Sequence, residues 1–209
     1  MPSMDDLRAA IASAPMAAAL IAVNLAVFIA VNVDSRLLDV VTLPPDWAGV
    51  LAQPWTLVTV FFTAEVFIHI AGAVLIIGLF GSRFERFAGS AHLLGVYVLA
   101  GLAGSLALVV TAVATGFDEP SRGASAAFLG LVAAVAACPR EARGARLQHL
   151  DKVVAAVALV QLAPLVGIGH WVSSAAHLAG MGVGAVYGYR VRTTIEGRNS
   201  NAGGQVAAP

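Results

Sequence analysis

Apolar residues are gathered into six long runs, at about 15–33, 66–81, 92–115, 124–138, 153–169 and 172–189, separated by short polar or charged connections. A membrane-spanning helix takes about 20 predominantly apolar residues, so each run reads as one span. A further apolar stretch, 54–65, is opened by Pro54 and flanked by Trp55 and Glu65. It reads as an interfacial, membrane-dipping part of the first loop. The pattern predicts an all-α polytopic membrane protein, with residues 1–14 as a terminal segment and a six-helix membrane domain over 15–190. The tail over 191–209 is polar and low in aromatics, so it is expected to be disordered.

Composition agrees. The chain is 59% hydrophobic and 11% charged, with a mean hydropathy of +0.85, against about 25% charged residues in soluble domains. The first run is longer than the roughly 7–15 apolar residues of a cleaved signal segment. It follows Asp5, Asp6 and Arg8 rather than a clear basic stretch, and is read as a retained helix. Asn24 inside it is expected to hydrogen-bond between helices. Net charge is zero, so no bulk basic field argues for nucleic acid. The single Cys138 leaves no internal disulfide and no cysteine cluster for zinc; it reads as a small packing residue.

Charge placement sets the expected orientation. With six spans, one side collects Arg8, Arg83, Arg86, Arg140, Arg143, Arg146, Lys152, Arg190, Arg192 and Arg198, and the other only Arg36 and Arg122. The positive-inside rule puts both termini in the cytoplasm of a multi-pass membrane protein. On that topology Ser125 lies in the first turn of the fourth span, and His69 near the outer end of the second. His177 lies about 9 Å into the sixth span at 1.5 Å per residue. Three residues far apart in sequence thus share the outer third of the membrane.

A serine hydroxyl and an imidazole at one depth can act as nucleophile and general base. Contact requires the fourth and sixth helices to approach closely. Gly180 and Gly184 lie three and seven residues after His177, on its face of the helix, as a small-xxx-small track. Ala126, Ala127, Ala133 and Ala134 keep the facing helix slim. The amide of Ser125 at the positive helix end, with Gly123 before it, and His69 are candidate oxyanion donors. Other readings stay open on spacing alone. Ser125 can bond back to its own helix, and His177 can serve packing or proton relay. Two histidines could also hold a metal, but only Glu65 near the interface accompanies them, so no metal and no cofactor are assigned. His92, His149 and His170 fall at helix ends or in loops and read as interfacial. A transporter or channel is disfavoured, because no internal repeat or midplane acidic residue is evident.

Four segments together resemble the rhomboid intramembrane serine proteases over about residues 15–190. Gly123-Ala124-Ser125-Ala126 is similar to that family's GxSG nucleophile motif, and His177-Leu178-Ala179-Gly180 with Gly184 to its HxxGxxxG base motif. Residues 81–89, with Gly81, Glu85, Arg86 and Gly89, fit GxxxExxxG, and Pro54-Trp55-Thr56-Leu57-Val58-Thr59 resembles the segment leading into the second helix. The resemblance implies a rhomboid-like six-transmembrane-helix bundle with Ser125 as nucleophile and His177 as base in an outward-opening pocket. It implies that His69 helps hold the oxyanion and that Glu85 acts structurally, bonding to Arg86 or to backbone. The implied partners are the lipid bilayer and transmembrane protein substrates, cleaved where a helix unwinds locally. The form suggested is a minimal prokaryotic one.

Three positions depart from the family pattern. Ala73 stands where the second helix carries an asparagine in HxxxN. Ala126 replaces the glycine after the nucleophile, and Ala64 replaces a second histidine. Losing one oxyanion donor can cost on the order of 10²–10³ in turnover. The alternative expectation is therefore a catalytically inactive rhomboid-like pseudoprotease that binds transmembrane clients.

Overall fold

The computed structural model describes residues 4–64, 66–139, 147–163 and 171–205. Glu65, Arg140, Arg143, Arg146 and His170 therefore lie outside the described residues, as does the second part of the expected fifth span. The described chain is helical: α1 (Met4–Ser13), α2 (Pro15–Val33), α3 (Leu37–Val41), α4 (Trp47–Ala52), α5 (Thr56–Thr59), α6 (Phe67–Ile76), α7 (Ser82–Ala88), α8 (Ser90–Thr115) and α9 (Ser125–Ala137). Leu150–Val160, here α10, and Trp171–Gln205, here α11, complete it. Three paths, Pro15–Val33, Phe67–Ala88 and Ser90–Thr115, are long and apolar enough to cross a membrane, and Ser125–Ala137 is a shorter apolar helix.

The second path is longer than the sequence suggests. A π turn over Ile77–Gly81 joins α6 to α7, so the helix runs on through the charged residues to Ala88. Gly89, at φ 96°, ends it in a conformation that favours glycine. Glu85 then reaches the start of α2, sixty-nine positions away from Met16. Its carboxylate accepts the amides of Met16 at 2.9 Å and Ala17 at 2.8 Å, and the Ser90 hydroxyl at 2.6 Å. Ala14, at the N-cap of α2, makes no side-chain cap. Glu85 supplies the anionic acceptor that the positive end of that helix attracts. Of the two expected partners, Arg86 and backbone, backbone is the one observed.

The first loop folds onto α8. The Tyr97 hydroxyl donates to the Phe61 carbonyl at 2.8 Å, and the Ser105 hydroxyl to the Leu57 carbonyl at 2.9 Å. The Phe61 ring lies over Gly101, where a side chain would collide with it. The stretch expected to dip into the interface thus buries Thr56, Val60 and Phe61 inside the protein, because α8 offers hydroxyls to its carbonyls. Asn24 donates to Leu20 O at 2.8 Å and to Tyr97 Oη at 3.3 Å, so it links α2 to α8 as expected. Cys138 is buried with its thiol against Ala134 O, a packing position.

α11 continues to Gln205 without a break, past position 191, where the sequence pattern suggests that order ends. Local bonds support the extension. Thr193 and Thr194 hydroxyls donate to Arg190 O, and Arg192 pairs with Glu196 one turn on at 2.9 Å. His92 lies in the first turn of α8 with Nδ1 3.1 Å from the Tyr187 hydroxyl of α11.

Candidate functional site

The chain enters α9 through a turn that glycine adopts readily and other residues do not. Gly123 has φ 125°, and a Cβ there would meet open space, so backbone conformation rather than crowding calls for glycine. Just upstream, Ser121 and Leu43 exchange both backbone hydrogen bonds, at 2.9 and 3.0 Å, as an isolated antiparallel bridge. The first loop therefore holds the segment that delivers Ser125. The first intrahelical bond of α9 runs from Phe128 N–H to Ala124 O. The amides of Ser125, Ala126 and Ala127 precede it, at the positive end of the helix, where a developing anion is favoured.

His177 comes from the second turn of α11, and its Nε2 lies 2.7 Å from Ser125 Oγ. The approach is set by backbone contact between the two helices. A side chain on Gly180 would strike Ala126 O, one on Gly184 would strike Gly130 O, and one on Gly188 would strike Ala134 O. The small-residue track expected at Gly180 and Gly184 thus extends one turn further, to Gly188, and its counterpart on α9 is 126, 130 and 134. Without side chains between them, backbones come close enough for a short hydroxyl to reach a ring nitrogen.

Ala126 is accommodated against α8. Its methyl occupies the place a side chain on Gly104 of α8 would take. Gly104 leaves the room that the methyl beside the serine takes.

Ser125 stands between two cavities that share Arg122 and Gly123. One, of about 230 Å³, is lined on the His177 side by Ser105, Ser121, Ser173 and Ala176. The other, of about 210 Å³, is lined by Thr63, Ile68, His69, Gly72 and Phe128. His69 and Ser125 therefore face a common space, while Ala73 is buried in the core at 1% exposure. Among the described residues, no group of three His, Cys, Asp or Glu side chains is placed to hold a metal.

One side chain that sequence reasoning did not single out touches the pair. Gln161, at the end of α10, has its amide oxygen 2.8 Å from His177 Nδ1. The available signal was a lone amide in the apolar stretch 153–163. Chemically, the arrangement offers a hydroxyl, a ring nitrogen able to take its proton, and amides at a helix start beside them.

Residues 51–194 match the family model of the Rhomboid domain. A comparison with curated proteins gave no match. The matched segment begins in α4, takes in Ser125 and His177, and covers more than half the chain; the protein belongs to the rhomboid family, and is an all-α, multi-pass membrane protein.

Proposed function

We propose that this protein is an intramembrane serine endopeptidase that cleaves transmembrane helices of other membrane proteins, with Ser125 as nucleophile and His177 as general base. The observation that carries the reading is the 2.7 Å separation of Ser125 Oγ and His177 Nε2. Nε2 takes the hydroxyl proton as Oγ bonds to the scissile carbonyl carbon. The carbonyl oxygen becomes an oxyanion, facing the Ser125 amide and the cavity wall formed by His69. His177 then returns its proton to the departing amine, leaving an acyl-serine ester. Water, deprotonated by the same nitrogen, releases the second product. Substrate backbone has to leave its helix before attack, since a helical carbonyl is hydrogen-bonded and lipid offers it no other partner.

On this reading both termini face the cytoplasm and the two cavities open outward, in keeping with the distribution of Arg and Lys. The test is labelling of purified protein with a fluorophosphonate, beside cleavage of a panel of transmembrane substrates. Wild type is expected to label and cleave, and Ser125→Ala and His177→Ala to do neither. A wild type that does neither removes the reading.

A second reading is favoured by Ala73, which puts a methyl where the family carries an oxyanion-holding amide. On it the protein binds transmembrane clients without cutting them. It requires a cellular phenotype that survives Ser125→Ala, and loss of that phenotype excludes it.

A further inference from the structure

His177 is held at both nitrogens. Nε2 lies 2.7 Å from Ser125 Oγ, and Nδ1 lies 2.8 Å from Gln161 Oε1. A neutral imidazole carries one N–H and one lone pair. An amide oxygen can only accept, so the nitrogen facing it must be the one that carries the proton. The other nitrogen then presents its lone pair to the hydroxyl. The opposite tautomer would require the Gln161 amide to turn its NH2 to Nδ1, and would leave Nε2 with no lone pair to take a proton from Ser125.

We infer that Gln161 is a positioning residue, which fixes His177 as the Nδ1–H tautomer with Nε2 turned toward Ser125. This rests on the peptidase reading given above. The local sequence fits the role. Val157, Leu159, Val160 and Leu162 surround Gln161 along the chain, and an amide in such a run finds a partner on a neighbouring helix. A carboxylate at that place would carry a charge into the apolar layer at a high cost. An amide orients the ring without that cost, but offers no charge to stabilise an imidazolium. It therefore contributes less than the buried aspartate of a serine-protease triad.

The contact also sets a geometric condition on the fold. Ser125 enters from α9, His177 from α11 and Gln161 from α10, so three helices meet at one ring. Gln161 follows directly on the last turn of α10, with its own amide bonded back to Val157 O and Ala158 O. The helix end is closed by backbone, and the side chain is left to reach the ring.

The experiment uses the full chain in lipid nanodiscs with ¹⁵N-labelled histidine. The His177 signals are identified by their loss in His177→Ala. Wild type is expected to show the Nδ1–H tautomer at a pH where the ring is neutral. Gln161→Ala is expected to shift it to a mixture, and Gln161→Glu, which keeps an acceptor, to restore Nδ1–H. In parallel, fluorophosphonate labelling and kcat should fall by about 10²-fold in Gln161→Ala, at the low end of a general base's contribution, with KM little changed. Gln161→Glu should recover most of that loss.

The four other histidines report whether a variant is folded, and Gln161→Leu provides a second variant if Gln161→Ala is not. An Nε2–H tautomer in wild type overturns the inference, as does a folded Gln161→Ala with an unchanged tautomer or wild-type labelling. The nitrogen spectra speak for Gln161 whether or not substrate is cut. An unlabelled wild type with a firm Nδ1–H signal would count against the peptidase reading and for the Gln161–His177 contact.

Discussion

The carbonyl oxygen of Gly130 occupies the space that a side chain on Gly184 would need. This contact lies two turns from His177 and touches neither reacting group, yet it fixes how near α11 comes to α9. Substituting Gly184 is therefore expected to act on the Ser125–His177 distance. Gly184→Ala should destabilise the protein by about 1–3 kcal/mol, the range for overpacking a tight contact, and Gly184→Val by more. Both should lower serine-probe labelling further than the loss of folded protein explains. Gly182→Ala is the control, since a Cβ there meets open space. Denaturation in detergent together with probe labelling makes the comparison.

The methyl of Ala126 and the bare Cα of Gly104 form a complementary pair. Gly104→Ala alone should crowd α8 against the start of α9 and reduce both stability and labelling. Ala126→Gly alone should cost little more than its helix propensity, up to about 1 kcal/mol. The double variant is expected to recover most of what Gly104→Ala loses. A double-mutant cycle with an interaction term of at least about 0.5 kcal/mol checks this; strict additivity would show that the two positions do not exchange bulk.

Glu85 holds two amides at the start of α2, where the N-cap residue Ala14 makes no side-chain cap. Glu85→Ala leaves them without that acceptor and is expected to cost on the order of 1–3 kcal/mol. Glu85→Gln keeps one acceptor oxygen and should cost less. Because Glu85 and His69 are sixteen residues apart on one helical path, about 24 Å at 1.5 Å per residue, the folded fraction of either variant should keep its probe reactivity. The midpoint of chemical unfolding and labelling per folded molecule separate the two effects.

Gly123→Ala tests the turn into α9. There is room for the methyl, but φ 125° is a conformation L residues rarely adopt. Forcing such a conformation costs roughly 1–3 kcal/mol. If the turn relaxes instead, Ser125 moves. The expected outcome is a small loss of stability with a large loss of labelling. A variant that labels at the wild-type rate would show that the turn does not set the serine's position.

Some of the site was readable because membrane burial makes polar residues conspicuous. Ser125, His177 and His69 stand out against apolar runs, and the topology expected from charge assigns them one depth. Gly180 and Gly184 announced a close approach, because only a bare backbone permits one. Gln161 carries no such signal, for a physical reason. An uncharged amide has no chemistry until a partner is known, and its partner lies on another helix. Gly188 and Gly104 were equally silent: a glycine in a membrane helix is common, and only the facing carbonyl or methyl makes it necessary.

The long apolar runs and the scarcity of charge by themselves determined that this chain is an all-α membrane bundle. These are local properties, set by each residue's preference for lipid or water. Tertiary structure alone decided which helix faces meet. It decided that Glu85 caps α2, that Ala126 nests on Gly104, that Leu43 pins Ser121, and that Gln161 reaches His177. Such relations depend on angstrom-scale approach between segments remote in sequence. No run of residues encodes that approach by itself, because each face acquires its meaning from the one packed against it.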